Sequence, residues 1–242
     1  MPAGRTVGHA RTMGTEDRSD ERFASIVRSL QAEKGIRHTL QRSVELAVEM
    51  VPGCDEACVS LVHRSRRIDT PAATSSVARR GDELQYELQE GPCLDAIWHH
   101  ETVHSDDLSS ETRWPTWGPV AAGQLGFRSM LCFQLFTGRD SLGALNLYAR
   151  STQAFDATGT DVGWALAAHV AVALAGEQEL VDMHHAVANR TVIGQAQGVL
   201  MERFGLDAAQ AFDFLRTVAT SNDISLDRVA TQLVRTRSLP GS

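Results

Sequence analysis

The chain reads as an α+β domain, an antiparallel sheet with flanking helices, followed by an all-α three-helix bundle. Three observations carry this. Helical stripes and short alternating runs intermingle up to about residue 178. From Leu180 onward the strand signals stop, and three amphipathic stripes follow one another with short links. Between the two parts, Asp161 to Asn189 contains no proline. Mixed periods predict sheet with helices, while a pure 3.6-residue period with short links predicts a bundle.

Residues 1 to 20 are polar and rich in Gly, Thr, Arg and Asp, which predicts a disordered tail. Order is expected from Glu21, where Phe23, Ile26, Val27 and Leu30 recur at helical spacing. A second stripe runs through Leu40, Val44, Leu46, Ala47, Val48 and Val51 and ends at Pro52-Gly53. Ala57 to Val62 alternates and leads into a basic turn, HRSRR. Arg66 to Ala78 is rich in Thr, Ser and Ala, and in Glu83 to Gln89 the residues Leu84, Tyr86 and Leu88 alternate. Gly91-Pro92 precedes a short helix, Cys93 to His99, and Val103 to Leu108 reads as an edge strand. Trp114-Pro115 opens a helix reaching about Leu125. Ser129 to Phe136 and Leu142 to Tyr148 are strand runs joined by a Gly- and Asp-containing turn, a hairpin signature.

The helical pattern from Asp161 to about 190 predicts one long connecting helix or two nearly coaxial ones, with Gly176 its one interior break signal. Leu166, Val170, Ala173, Leu174, Leu180 and Val181 form an apolar seam. Its first half is expected on the sheet, and Gly176 to Val187 against a second copy, so a homodimer is expected. This places a sensor domain over 21–178 and a bundle over 179–242. In the bundle, Val192, Ile193, Ala196, Val199, Leu200 and Phe204 form the first stripe, ended by Gly205. The second holds Ala208, Ala211, Phe212, Leu215, Val218 and Ala219 after the cap Asp207. The third holds Leu226, Val229, Ala230, Leu233 and Val234 after Ser225.

Of 242 residues, 43% are hydrophobic, enough for one large or two modest cores. The net charge of −7 argues against non-specific nucleic-acid binding over the whole surface, so such a site must be local. The four cysteines, without a secretory segment or an apolar run long enough to span a bilayer, predict a cytoplasmic, membrane-free protein with reduced thiols. Cys54-x-x-x-Cys58 lacks the second pair of a zinc site. His99, His100, His104 and Asp106 read as a polar loop beside a helix end rather than a metal site. Cys93 at a helix N-terminus has the position of an activated thiol, although a buried, inert thiol is the favoured reading. Cys132 reads as core. No Ser-His-Asp set or phosphate-cradling glycine loop is visible, and neither a cofactor nor catalysis is expected.

The segment Asn189-Arg190, Ile193, Ala196, Gln197, Gly198, Leu200, Met201, Arg203, then Ala211, Phe212, Leu215, Arg216, then Val229, Ala230, resembles the ANTAR domain over roughly residues 180–237. The resemblance implies RNA binding and transcription antitermination, with two copies in a dimer engaging a pair of short hairpins near a terminator. Many relatives carry Lys where Gln197 stands and Ser where Ala219 stands. The candidate contact residues are Arg190, Gln197, Gly198, Arg203, Arg216, Thr220 and Asn222. The arginines suit phosphates or bases, and Gln197, Thr220 and Asn222 suit the edges of loop bases. A glycine inside a helix costs on the order of 1 kcal/mol against Ala, which favours close approach as the reason for Gly198. From Leu180 to Ser242 six arginines face six acids and there is no lysine, so affinity must rest on shape, stacking and avidity.

The preceding part resembles a GAF domain over about 25–175. The likeness rests on Glu90-Gly91-Pro92-Cys93-Leu94-Asp95-Ala96, Val103 to Leu108, Trp114-Pro115 and Gly143 to Tyr148. It implies a sensor pocket for a small molecule without naming the ligand. Two other readings compete with RNA binding. A DNA-binding regulator would use the loose helix-turn-helix around Ser221 to Ile224, but Asp227 sits where base contacts would be made. A sensory enzyme has no catalytic set.

Overall fold

The computed structural model describes residues 35–63, 65–99, 102–138 and 140–238. The expected tail over 1–20 and the stripe from Phe23 to Leu30 lie outside the described residues, as does His100. The chain divides into two compact units, one up to Glu177 and one from Gln178.

The first unit opens with helix α1, Ile36–Met50. Strands β1, Glu56–Val62, and β2, Ile68–Ala73, form a hairpin. Helices α2, Ser76–Leu88, and α3, Pro92–Trp98, come next. Strand β3, Thr102–Ser105, helix α4, Trp117–Gly123, and strands β4, Ser129–Thr137, and β5, Asp140–Ala149, complete the sheet. All pairings are antiparallel, in the order β2-β1-β5-β4-β3, so β3 is an edge as its sequence predicts.

The two-residue period of the strands separates two cores. Ala57 and Val59 of β1, Leu131, Phe133 and Leu135 of β4, and Leu145, Leu147 and Ala149 of β5 join α1 and the start of α5 in one. Cys58, Met130, Cys132, Ala144 and Tyr148 point the other way, to the core that holds residues of α2, α3 and α4. At Gly143, with φ +156°, a Cβ would stand 1.8 Å from the Ser60 carbonyl oxygen, so the close approach of β5 to β1 needs glycine there.

The GAF-like sequence motif has a structural reading. The Glu90 carboxylate accepts from the backbone N–H groups of Thr116 and Trp117 at 2.6 and 2.7 Å and thereby caps α4. The Trp114 indole donates to Asp95 at 2.9 Å, and the Cys93 N–H donates to the Gln85 side chain at 2.8 Å. Glu90, Cys93, Asp95 and Trp114 of the motif thereby fasten α2, α3, α4 and their links to one another.

One stretch is filled in by the structure and one differs from its sequence pattern. The region 66–78 contains β2 and the start of α2, capped by Ser75, whose side chain accepts from the Ala78 N–H at 3.0 Å. The alternation of Leu84, Tyr86 and Leu88 belongs to α2, a helix. The residues that α2 buries are Ala78, Gly81, Asp82 and Gln85, at helical spacing but with only Ala78 apolar, so a search for apolar periodicity misses them.

Asp82 is wholly buried and is the hub of that polar face. It accepts from Ser60 Oγ at 3.0 Å, Thr70 Oγ1 at 3.2 Å, Asn146 Nδ2 at 3.0 Å and the Tyr148 hydroxyl. The Tyr86 hydroxyl donates to Ser60 Oγ at 2.6 Å and lies 2.8 Å from Thr70 Oγ1. Burial raises the Asp82 pKa, and the hydrogen bonds from Tyr148, Asn146, Ser60 and Thr70 pull it back only in part.

Helix α5, Ala157–Phe204, is continuous over 48 residues, so the expected connecting helix and the first helix of the bundle are one element. Leu166, Ala167, Val170, Ala171 and Leu174 pack on the sheet, while Trp164 and Val172 are exposed. The second unit adds helices α6, Ala208–Ser221, and α7, Leu226–Thr236. Its core is Ala196, Leu200, Ala211, Leu215, Ala219, Val229, Ala230 and Leu233. Gly205 leaves α5 at φ +67°, and its N–H donates to the Met201 carbonyl at 2.9 Å. Asp207 and Gln210 form a reciprocal capping box on α6. Ser225 holds the N-cap position of α7 without a side-chain cap bond. Phe204 and Phe212, expected in the stripes, are instead 56% and 36% exposed. No helix among the described residues is long and apolar enough to cross a membrane.

The raised Asp82 pKa sets a sign for pH dependence. The folded carboxyl keeps its proton to higher pH than the unfolded one, so the fold is favoured where Asp82 is protonated. That contribution declines as pH rises above the ordinary aspartate range. Trp98, Trp114, Trp117 and Trp164 all lie in the first unit, so tryptophan fluorescence reports its unfolding alone. Urea unfolding at a series of pH values is expected to show a shallower decline for Asp82→Asn than for the parent chain. Identical pH profiles would reject the assignment.

Candidate nucleic-acid interface

The candidate contact residues sort into groups by the helix that carries them. At about 100° per residue, Arg190, Gly194, Gln197, Gly198 and Met201 fall within an arc of about 100° on α5. The buried Ala196 and Leu200 lie on another side of the helix. A Cβ built at Gly194 or Gly198 would have nothing within 4 Å. Packing inside the chain therefore does not require either glycine, and the backbone there is open to an incoming group. Gln197 has a structural task as well, because its Nε2 donates to the Ala208 carbonyl at 2.9 Å and ties α5 to the start of α6.

Arg203 does not join that face. It falls roughly 220° round the helix from Arg190, and its Nη1 donates to the Arg237 carbonyl at 2.9 Å. Arg237 is the left-handed residue that ends α7, so Arg203 satisfies a helix terminus. Arg203, expected among the RNA contacts, thus stands apart from that face and clamps α7.

The outer face of α6 carries the second group. Arg216, Thr217, Thr220 and Ser221 line a shallow cavity of about 240 Å³. Arg216 Nη2 pairs with Asp213 Oδ1 at 2.6 Å, with both side chains more than half exposed. An exposed pair of this kind is worth little, so a phosphate can recruit the guanidinium at small cost. The Thr220 hydroxyl donates to the Arg216 carbonyl at 3.0 Å and keeps its acceptor capacity. The Asn222 amide donates to the Val218 carbonyl at 2.9 Å, which makes it a C-terminal cap of α6.

Sequence reasoning passed over one feature. The Phe204 and Phe214 rings stack with centroids 6.3 Å apart and planes inclined by 30°, both exposed to solvent. Phe204 stands beside the terminating Gly205. That adjacency was the available signal, since an aromatic at a helix end has fewer neighbours to cover it.

In the first unit the four cysteines are free and buried. Burial, and then the nearby Asp82, push the Cys93 thiol well up rather than down, so the activated-thiol reading of its helix position does not hold. Burial raises Cys54 to about 12. Cys132 is fully buried, as read. His104 Nε2 lies 3.3 Å from Asp106, and the described residues contain no cluster of three metal-binding side chains.

Comparison with known proteins matches the two units to two families. The GAF domain family model covers residues 33–175, and the ANTAR domain family model covers residues 182–234. No curated protein matches the chain. Among solved structures, the GAF domain of an Acinetobacter phosphoenolpyruvate-protein phosphotransferase aligns with TM-score 0.55 and 16% identity, over 69% of this chain and 97% of that one. The bacteriophytochrome RpBphP3 of R. palustris aligns with TM-score 0.58 and 10% identity, over 86% of this chain and 47% of that one. A free methionine-R-sulfoxide reductase from Neisseria meningitidis, solved with its substrate, aligns with TM-score 0.54 and 17% identity, over 72% of this chain and 98% of that one. At such identities the likeness speaks to the fold alone. The five-stranded antiparallel sheet with its two helical layers and the capped three-helix unit that follows agree with both family matches. This chain belongs to the GAF domain family and joins a GAF sensor domain to an ANTAR domain.

Proposed function

We propose that this chain is an RNA-binding transcription antitermination regulator of the cytoplasm, without enzymatic activity. Its GAF domain senses a small molecule, and the ANTAR domains of a homodimer hold a pair of short RNA hairpins so that a terminator does not form. The observation that carries the reading is the open backbone at Gly194 and Gly198, on the same face of α5 as Arg190 and Gln197, within the ANTAR match. A helix that tolerates two glycines without an internal packing reason is suited to a partner that comes close to its backbone. Single-stranded RNA loops, with their splayed bases, are such partners.

The dimer follows from the same helix. Leu180, Met183 and Val187 are 48%, 57% and 60% exposed. Their 3-4 spacing continues through Arg190, Gly194, Gln197, Met201 and Phe204, the register of a two-stranded coil. The apolar first third suits pairing of two copies. The small and polar middle continues the line where the copies meet RNA. Two weak sites on one dimer gain by avidity what a neutral domain lacks in charge.

The full-length chain is expected to bind an RNA with two tandem hairpins more tightly than one hairpin or duplex DNA, measured by fluorescence anisotropy. Preference for duplex DNA would establish the competing DNA-binding reading. Arg190→Ala and Arg216→Ala should each weaken tandem-hairpin binding about tenfold with helicity intact, a cost within the ~1–3 kcal/mol typical of a lost arginine contact. Unchanged affinity in both variants would remove the site. Gly198→Ala separates the two roles of that glycine. It should raise helix stability by roughly 0.5–1 kcal/mol and yet weaken RNA binding. Tighter or equal binding would show that the open backbone is not used. Leu180→Glu with Met183→Glu should convert a dimer to monomers by light scattering, and a dimer that persists would place the interface elsewhere.

A further inference from the structure

We propose that the GAF domain takes a planar organic anion, an aromatic ring bearing a carboxylate or similar acid, in the cavity between the β1–β2 hairpin and helices α2 and α3. The inference rests on the sensor reading above and adds the class of ligand. The cavity has a volume of about 490 Å³, within the range of small-molecule sites. The residues that decide its chemistry are Arg66, Arg67, Tyr86, Gln89, Leu94 and Trp98.

Charge points to an anion. Two guanidiniums stand side by side at the hairpin tip of a chain whose net charge is −7. Asp69 lies 4.0 Å from Arg67 and 2.9 Å from His63, so Arg67 is partly neutralised and Arg66 carries the larger share of the attraction. The Arg66 guanidinium sits 4.7 Å over the Trp98 ring. A planar guanidinium held on an aromatic face presents its N–H edge to a carboxylate in a fixed geometry.

Shape and polarity point to a flat ring. Ile68, the buried Leu94 and Trp98 supply apolar wall. Gln89 supplies a polar group to orient a substituent, and Tyr86 lines the wall. The hairpin tip is itself held by backbone bonds between Arg66 N–H and the His63 carbonyl and between His63 N–H and the Arg67 carbonyl, both 2.8 Å. Arg66 adopts the left-handed conformation, φ +58°, where glycine is less strained. An arginine kept in a glycine position agrees with a task for its side chain.

The site also reaches the interior. Tyr86 lines the cavity, and its hydroxyl bonds Ser60 and Thr70, the residues that donate to Asp82. A ligand that moves the Tyr86 ring alters hydrogen bonds in the centre of the domain.

The test uses three probes of one shape, 2-naphthoate, neutral 2-naphthol and cationic 2-naphthylmethylammonium, titrated into the full-length chain at pH 7 by calorimetry. Naphthoate should bind at least tenfold more tightly than the other two, and Arg66→Gln should abolish that preference. Arg66→Gly should do the same while the domain keeps or gains thermal stability, because it relieves the left-handed residue. Equal or tighter binding of the neutral or cationic probe overturns the ligand class. Naphthoate binding unchanged in both variants, or no heat with any probe, overturns the site. Tandem-hairpin binding by the parent chain, measured without probe, keeps this test apart from the RNA reading, since RNA binding that survives while the parent chain fails to bind naphthoate refutes the ligand alone.

Discussion

One helix has to serve two hydrophobic cores, and most of what distinguishes this chain follows from that. Residues of α5 from Leu166 to Leu174 complete the sheet core, and Ala196 and Leu200 complete the bundle core. The stretch between them belongs to neither. From Glu179 to Thr191 every residue is exposed. A solvated helical segment draws little stability from propensity alone, since nucleation is costly and propagation is nearly neutral. It is anchored at both ends by packed turns, and its own apolar residues, Leu180, Val181, Met183 and Val187, gain nothing inside the chain. Exposed apolar side chains at coiled-coil spacing on a segment that lacks a core are the physical basis for expecting a second copy.

Much of this architecture is legible in the residues, and the failures share one cause. Strands β4 and β5, the edge position of β3, the short helix after Gly91-Pro92 and the capped α6 all follow from apolar period, glycine, proline and capping chemistry. Helix α2 does not, because the side it buries is Gly81, Asp82 and Gln85 rather than leucine and valine. Hydrophobic periodicity detects burial only where burial is apolar. The same equation of apolar with buried placed Phe204 and Phe212 in the core. At the nucleic-acid face the sequence identified exposed polar residues but not their local partners. Gln197 reaches the Ala208 carbonyl at the start of α6, Arg203 the Arg237 carbonyl past the end of α7, and Asn222 the Val218 carbonyl in the last turn of α6. The first two bonds depend on the positions of α6 and α7, which no spacing within one helix encodes, while the third is a local contact across four residues.

The sensor interior departs from the ordinary logic of a core in the same place. A carboxylate at zero exposure, surrounded by hydroxyls and an amide and without a cation among its hydrogen-bond partners, is costly compared with packed aliphatic residues. Local rules are broken where function replaces stability as the constraint. Here the violation is concentrated on the sheet face covered by α2 and α3, and Tyr86 connects it to the cavity. Cys93 is part of the same set, with its sulfur 3.2 Å from Ser60 Oγ. Its burial and the neighbouring carboxylate hold the thiol protonated, so it contributes as a weak hydrogen-bonding and packing group rather than as a nucleophile.

Electrostatics then decides what kind of reader the ANTAR unit can be. With six arginines against six acids over 180–242, it lacks the basic field that gives long-range attraction to phosphates. If it binds RNA as proposed with few phosphate contacts, few counterions would be released and the salt dependence of affinity would be shallow. A neutral reader discriminates by fit, because a wrong partner obtains no compensating charge attraction. Arg216, held only by an exposed pair with Asp213, and the open helix backbone at Gly194 and Gly198 are contacts that act at short range. Short-range contacts reward two hairpins presented together to two copies of the domain. On the proposed function, dimer geometry rather than charge would be the variable through which a signal in the GAF domain governs RNA binding.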